Sequence, residues 1–384
     1  MATSNDDYST YDLGDFRLSS GAVIPSAFIA YKTFGAPSNP AIIYPSCWFS
    51  GLISDNEWLV GPGKALDPAR YFIIIPALIG NGQSVSPSNT RARRAGAKFP
   101  DVTVKDNVTA QHRLVTEGLG VTHARAVLGW SMGAGQTYQW LTQYPDFMDL
   151  GVPFCGSART SIHNQVFLEG VKSALLAAKR AASAGSARGE VGSYTLWTDE
   201  ERVAGLKAFG RAYAGWGFSQ QFYRERLYET KLGYKDLEDF MVNFWEVWPL
   251  SKGTLSDFPW RGFVKCGRLF ANVEFLSCSD PENMLHMLHT WQAADCSDQA
   301  PYNKDLEKTM AGIKAKTLVL PGKTDLYFPP EDSEYEVKCM SEGRGKCIPF
   351  PSIWGHWAGG PGTNPEDVEW LDDKLKAFLE NESW

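Results

Sequence analysis

The chain has 384 residues, 43% of them hydrophobic and 21% charged, with a net charge of −7. This composition is ordinary for a soluble globular enzyme, and the length allows a large core. The negative charge argues against nucleic acid or an anionic membrane as a partner, so we expect a small-molecule substrate. The N-terminus lacks the pattern of a secretory signal and no apolar stretch approaches about 20 residues, so we expect a cytoplasmic protein that does not cross a membrane.

Strand and helix patterns alternate over the first 160 residues. The chain starts with a predicted hairpin over residues 16–34. Short apolar runs follow, as expected for strands covered on both faces, with a helical pattern between them. The predicted strands are 41–44, 71–78, 124–128 and 150–155, and the predicted helix is 104–118. This alternation favours a mostly parallel sheet flanked by helices.

Helical patterns dominate after about residue 160. They cover 167–182, 198–213, 218–230, 237–247 and 281–294. Strand patterns return at 317–321 and 346–350, and a final helix is predicted over 365–380. We therefore predict a core formed by residues 1–160 and 301–384, with residues 161–300 inserted as a helical lid.

The most informative motif is Gly129-Trp130-Ser131-Met132-Gly133, which lies between a predicted strand and a helix-like stretch. Gly-x-Ser-x-Gly in this setting is the nucleophile elbow of α/β-hydrolases, where a tight turn exposes the serine at the carboxyl edge of the sheet. The motif predicts an α/β-hydrolase fold with Ser131 as the nucleophile. It also predicts that the backbone N–H of Met132 faces a developing oxyanion.

A serine hydroxyl needs a neighbouring base, which a third group orients. In α/β-hydrolases the chain order is serine, acid, histidine. His356 lies in a glycine-rich loop between the last predicted strand and the final helix, which suits the base. Asp325 directly follows a predicted strand and is favoured as the acid. Asp332 is the alternative, although its place at the start of the next helix suggests a cap region.

A second oxyanion donor is expected just after the predicted strand 41–44. Phe49 is the favoured residue and Trp48 the next, because both lie in the following loop. Two such amides could together contribute several kcal/mol, since one is worth about 3 kcal/mol. Cys47 in the same loop is interpreted as a packed thiol. The seven cysteines are irregularly spaced, which favours free thiols over disulfides or a zinc site.

Other candidate sites have weaker support. His286 and His289 could share one face of a helix, but no further ligand completes a metal set, so we interpret them as core or surface histidines and expect no metal. The arginines at 91, 93 and 94 could bind a CoA phosphate, although a solvated loop is the favoured interpretation. Gly80-Asn-Gly82 lacks the spacing of a dinucleotide-binding motif.

Taken together, these motifs resemble the homoserine O-acetyltransferase family. The resemblance runs over most of the chain and rests on Gly51 to Asp67, Gly80-Asn-Gly82, the elbow with Gln136 and Tyr144-Pro145, residues 156–161 with Asn164, and the Asp325 and His356 segments. It implies an α/β-hydrolase core with a helical lid. It also implies transfer of an acetyl group from acetyl-CoA, through the serine, to an amino-acid hydroxyl.

The chain departs from this family where the amino-acid acceptor would bind. Trp357 stands where the family has an aspartate after its histidine. In the lid, Arg211 matches the family, but Phe218 replaces a tyrosine seven residues later. The loss of an anion and a phenol removes contacts of about 1.5–3 kcal/mol each. An apolar pocket with Trp48, Phe49 and Trp357 would suit a less polar ester.

We therefore expect an enzyme that hydrolyses an ester or thioester of a fairly apolar small molecule. The alternative is an O-acyltransferase with acetyl-CoA or another acyl-CoA as donor, and a third hypothesis is a non-catalytic ligand-binding protein of the same fold. Trp48, Arg211, Phe218 and Trp357 are the candidate substrate-binding residues. The Trp-rich lid could also pair with a second copy of the chain, which would give a homodimer.

Overall fold

A computed structural model describes residues 8–47, 53–90, 98–179, 197–250, 280–360 and 362–384. In these ranges eight strands form one sheet in the order β1-β2-β4-β3-β5-β6-β7-β8. The strands are β1 (Ser9–Arg17), β2 (Val23–Phe34), β3 (Ala41–Ile43), β4 (Phe72–Pro76), β5 (Ala124–Trp130), β6 (Met148–Phe154), β7 (Lys316–Val319) and β8 (Gly345–Cys347). The first two strands are antiparallel to their neighbours, and the pairs from β4 to β8 are parallel.

Helices lie on both faces of this sheet and in a block between β6 and β7. Two belong to the first part of the core, α1 (Val104–Arg113) and α2 (Met132–Gln143). The block, called the helical insertion below, contains α3 (Ile162–Ala177), α4 (Asp199–Gly217), α5 (Gln220–Arg224), α6 (Leu227–Thr230), α7 (Leu237–Phe240) and α8 (Pro281–Gln292). After it come α9 (Leu306–Ala311), α10 (Pro330–Cys339) and α11 (Pro365–Asn381).

The predicted fold class is confirmed, since the sheet is mostly parallel and flanked by helices. One predicted helix, residues 218–230, is wrong in detail, because the structure has two short helices there. Arg226, between them, adopts a left-handed conformation (φ 54°, ψ 42°), which interrupts the helix. The predicted domain boundaries, the homodimer and the cytoplasmic location stay predictions. In the described ranges no helix is both long and apolar enough to cross a bilayer.

The core is built from the central strands. Alternate residues of a strand face opposite sides of the sheet, so Ile73 and Ile75 join one buried cluster while Ile74 joins the other. Burial of each such side chain stabilises the fold by about 1.5–3 kcal/mol. The first cluster continues into aromatic residues of the helical insertion, such as Phe218 and Trp245. The insertion therefore packs on the face of the sheet that carries this first cluster.

Candidate active site

Ser131 lies at the sharp turn between β5 and α2. Its backbone is strained, with φ 59° and ψ −123°. The turn is tight enough that a Cβ on Gly129 would stand 2.3 Å from the carbonyl oxygen of Gly133, so a larger residue does not fit there. The amide of Ser131 donates to Phe154 O of the neighbouring strand at 3.1 Å. The motif thus folds as the elbow that the sequence predicted.

Ser131, His356 and Asp325 form a continuous line of hydrogen bonds. The imidazole Nε2 is 2.9 Å from Ser131 Oγ, and Nδ1 is 2.7 Å from Asp325 Oδ2. A carboxylate can only accept, so Nδ1 carries the proton and Nε2 accepts from the serine hydroxyl. The three residues are only 2–5% exposed. This arrangement can move a proton from the hydroxyl to the imidazole in a site that is largely closed to water.

Parallel strands bring these distant residues together. Ser131 follows β5, Asp325 follows β7 and His356 follows β8. The carboxyl ends of these strands lie at one edge of the sheet, which is where ligands bind in open α/β sheets. The alternative acid, Asp332, lies instead in the first turn of α10, as its cap-like sequence context suggested.

Backbone amides hold the carboxylate. Asp325 Oδ1 accepts from the amide of Tyr327 at 3.0 Å and from that of Phe328 at 3.2 Å. The second carboxyl oxygen of Asp325, Oδ2, faces the imidazole of His356. The two amide hydrogen bonds therefore fix the orientation of the carboxyl group against the His356 ring.

Aromatic side chains enclose the imidazole. The ring of Trp130 stacks on His356 with centroids 4.9 Å apart, and Tyr327 lies 4.3 Å away on a tilted ring plane. Trp130 Nε1 also donates to the carbonyl oxygen of His356 at 3.2 Å. Because few polar atoms or waters compete in such surroundings, charges formed during a reaction interact more strongly there than in water.

Of the candidate oxyanion donors, the structure describes Met132. Met132 is the first residue of α2, where an amide has no acceptor within its own helix. The loop that follows β3 comes close by, because the Gln136 side chain donates to both Ser46 O (3.0 Å) and Met132 O (3.2 Å). Trp48 and Phe49 lie outside the described residues. The oxyanion role of Met132 stays a prediction.

The predicted substrate-binding residues fall into two groups. Arg211 contacts two carboxylates of the helical insertion, Glu246 at 2.6 Å and Glu238 at 2.7 Å, and these raise its pKa. Arg211 is therefore held by two ion pairs within the helical insertion, and its contact with substrate stays a prediction. Phe218 and Trp357, in contrast, are buried and stacked with centroids 5.0 Å apart, directly beside the His356 segment.

The remaining candidates are packing residues or lie outside the described ranges. Cys47 is buried, as predicted, and burial raises its pKa. His286 is buried edge-on against Phe99, and burial lowers its pKa to about 3, whereas His289 is exposed. In the part of the chain that the structure describes, no three His, Cys, Asp or Glu side chains are grouped as metal ligands. The arginines at 91, 93 and 94 lie outside it.

Sequence reasoning missed the polar residues that support the acid and base loops. Thr324 Oγ1 donates to Ser352 O in the loop of His356, and Ser352 Oγ donates to Asp367 in the final helix. The only local signal was a hydroxyl residue directly before the predicted acid. Trp130 was visible in the elbow motif, but its contact with an imidazole 226 residues away was not.

The fold and the elbow define this protein as an α/β-hydrolase. No protein-family model matches the chain. The ethyl acetate hydrolase of Pseudomonas veronii is 32% identical over 381 residues, which cover 98% of this chain and 97% of that protein. The solved structure of the acetyl esterase MekB superposes with a TM-score of 0.80 at 31% identity and covers 97% of both chains.

A homoserine O-acetyltransferase of Corynebacterium efficiens is 33% identical over 165 residues, 40% of this chain and 43% of that protein. The chain belongs to the homoserine O-acetyltransferase-like branch of the α/β-hydrolases, a branch that includes esterases. The predicted resemblance is confirmed, and so is the expectation of an ester-hydrolysing enzyme rather than a binding protein.

Proposed function

We propose that this enzyme hydrolyses small, weakly polar esters with short acyl groups through an acyl-enzyme on Ser131. The observation that carries the proposal is the line of hydrogen bonds from Asp325 through His356 to Ser131, with separations of 2.7 and 2.9 Å. This line supports the proposal, because it brings a hydroxyl, an imidazole and a carboxyl group within hydrogen-bond reach of one another.

In the first half of the reaction, Ser131 Oγ attacks the ester carbonyl carbon while His356 Nε2 accepts the hydroxyl proton. Asp325 stabilises the imidazolium that forms. The amide of Met132, with that of Phe49 proposed from the sequence, donates to the oxyanion of the tetrahedral intermediate. As the intermediate collapses, the alkoxy group leaves as an alcohol with the proton from Nε2.

In the second half, water replaces the alcohol. Nε2 takes a proton from the water as its oxygen attacks the acyl carbon of the acyl-enzyme. The second tetrahedral intermediate collapses, the proton returns to Ser131 Oγ, and the carboxylic acid leaves. The serine and the neutral imidazole are regenerated.

The proposed substrate class rests on the aromatic surroundings. Phe218 and Trp357 pack as buried apolar rings beside His356, and Arg211 is paired with Glu238 and Glu246. We propose that Trp357 and Trp48 line an apolar acyl or alcohol site, that Phe218 supports the ring of Trp357, and that Arg211 does not bind substrate. The names of the two full-length relatives, an ethyl acetate hydrolase and an acetyl esterase, support an acetyl group as the acyl part.

A second candidate is an O-acyltransferase that uses acetyl-CoA or another acyl-CoA as donor. The partial alignment with a homoserine O-acetyltransferase favours it. The chemistry through the acyl-enzyme is the same, and only the acceptor differs. We favour water as the acceptor, because Phe218 and Trp357, the described residues at the two positions where the chain departs from that family, carry no charge that could bind a zwitterionic alcohol.

The test is turnover of p-nitrophenyl acetate, butyrate and octanoate, and of ethyl acetate, with and without homoserine and acetyl-CoA. We expect hydrolysis that falls as the acyl chain lengthens and no transfer to homoserine. Ser131→Ala should lower kcat by about 10⁶ and abolish labelling by a fluorophosphonate. Ser173→Ala, at an exposed serine of α3, is the control and should match the parent. Turnover that survives Ser131→Ala would overturn the mechanism, and acetyl transfer to homoserine would overturn hydrolysis.

A further inference from the structure

Several contacts join the loop that carries Asp325 to the loop that carries His356. Backbone hydrogen bonds link Lys323 N to Phe350 O (2.9 Å) and Phe350 N to Pro321 O (2.7 Å). Next to the two side chains, the hydroxyl of Thr324 also joins the loops. We propose that Thr324 is a positioning residue that sets the distance and angle between Asp325 and His356. This inference rests on the proposed function, since it assumes that these two side chains act in turnover.

The two hydrogen bonds of Thr324 carry the argument. Its Oγ1 donates to Ser352 O at 3.0 Å and accepts from the amide of Gly355 at 3.1 Å. Thr324 directly precedes Asp325, and Gly355 directly precedes His356. A hydroxyl can donate and accept at once, which an apolar side chain of the same size cannot do. The residues next to the acid and next to the base are therefore held by one oxygen atom.

The backbone before His356 needs such a contact. Gly355 has φ 65°, in the left-handed region, and a Cβ there would stand 2.6 Å from Ser219 N. Glycine has access to more backbone conformations than any other residue, so this bend is not determined by the residue itself. The bond from the Gly355 amide to Thr324 selects one orientation of the peptide that leads into His356.

A second anchor ties the same loop to the final helix. Ser352 Oγ donates to Asp367 Oδ2 at 2.8 Å and accepts from the amide of Trp354 at 3.1 Å. Asp367 lies in the first turn of α11 and is buried. These two hydrogen bonds hold Ser352 in place. Thr324 therefore donates to a carbonyl group whose position is fixed.

Apart from the hydrogen bond between Asp325 and His356, the supporting contacts of these side chains described above act on one loop each. Tyr327 and Phe328 amides hold Asp325, and Trp130 holds the carbonyl of His356. Thr324 lies in the loop of Asp325 and bonds to the loop of His356 directly beside that residue, so it acts on the separation of the two side chains. A displacement of about 1 Å in a catalytic group can cost about 100-fold in rate, so loss of this hydroxyl should lower turnover without removing a reacting group.

The experiment compares Thr324→Val, which keeps the shape but loses the hydroxyl, with Thr324→Ser, which keeps the hydroxyl. Activity is expressed per active site titrated with a fluorophosphonate. We expect Thr324→Val to lower kcat about 10- to 100-fold with KM within about 2-fold, and Thr324→Ser to stay within about 3-fold of the parent. The low-field proton NMR signal of the His356–Asp325 hydrogen bond should shift or broaden in Thr324→Val only.

Thr317→Val is the matched control, since it removes a buried hydroxyl from β7 that bonds only locally, to Ala315 O at 3.1 Å. It should leave kcat per site unchanged. Thr324→Ala serves if the valine variant does not fold, with the same expected loss.

The inference fails if Thr324→Val or Thr324→Ala keeps the parent kcat per site, or if only the folding temperature and the number of titratable sites fall. It also fails if Thr324→Ser loses as much as Thr324→Val. These outcomes are distinct from failure of the proposed function, which would appear as turnover in Ser131→Ala.

Discussion

The carboxyl edge of the sheet and the helical insertion are each stabilised by a different kind of contact. At the edge, directional hydrogen bonds fix Asp325, His356 and the loops that carry them. In the insertion, buried aromatic rings stack on each other, as Phe240 does with Tyr228 at 5.4 Å and with Phe244 at 5.1 Å.

The difference follows from what each region must do. Hydrogen bonds weaken steeply as the donor–hydrogen–acceptor angle departs from linear. They can therefore hold the line from Asp325 through His356 to Ser131 in a narrow geometry. Aromatic packing is strong but less directional, and apolar cores tolerate changes of shape when their volume is kept. We therefore expect changes at the edge to affect turnover, and changes within the insertion to affect stability first.

The largest effect on turnover should come from a change at Asp325, whose carboxyl group is held by backbone amides. Asp325→Asn can still accept from the Tyr327 amide, but its NH₂ group donates towards His356 Nδ1 and favours the wrong tautomer. We expect kcat for p-nitrophenyl acetate to fall by about 10⁴ with little change in stability. Asp332→Asn, at the alternative acid, is the control and should stay within about 2-fold. If Asp332→Asn were instead the damaging change, the acid would be misassigned.

A smaller effect, on stability, is expected in the insertion. Phe240 is fully buried among aromatic rings, and Phe240→Ala should lower the free energy of unfolding by about 3–5 kcal/mol, through lost burial and a cavity. Urea denaturation measures the loss, and kcat per titrated site should stay within about 2-fold. Leu237→Ala, at an exposed site on the same helix, should cost less than about 0.5 kcal/mol. A 10-fold fall in kcat per site for Phe240→Ala would remove the contrast between the two regions.

The smallest of these effects concerns the buried carboxyl group of Glu336 in α10. Glu336 accepts from Tyr138 Oη and from the Ala158 amide, both at 2.7 Å, and burial raises its pKa to about 7. The folded state therefore binds this proton more tightly than the unfolded state does. Its contribution to the free energy of unfolding is present below pH 4.5 and is lost as the pH rises to about 7.

Glu336→Gln should remove this pH dependence, which amounts to roughly 3 kcal/mol. Urea denaturation at pH 5 and pH 8 measures it in the parent and the variant. Glu331→Gln, at an exposed site on the same helix, should keep the parental difference. An equal difference in Glu336→Gln would show that this carboxyl titrates normally.

Features set by neighbouring residues were predictable from the sequence. The elbow around Ser131 depends on glycines within two residues of it, and a turn of this kind is a local property of the backbone. Asp325 and His356 followed from the order of acid and base along the chain and from the ends of predicted strands. The helix expected over 218–230 was wrong in detail, because the left-handed residue Arg226 gives no pattern that separates it from its helical neighbours.

By itself, the sequence determined the alternation of strands and helices and the elbow, because each depends on residues close together in the chain. It also showed the order of the three proposed catalytic side chains, since each follows a predicted strand. Only the tertiary structure decided that Arg211 pairs with two carboxylates and that Thr324 bonds to a loop 28 residues away. Such contacts depend on the register of the sheet and on the packing of loops at its edge. Those are settled by interactions summed over the whole core, and no short stretch of residues encodes them.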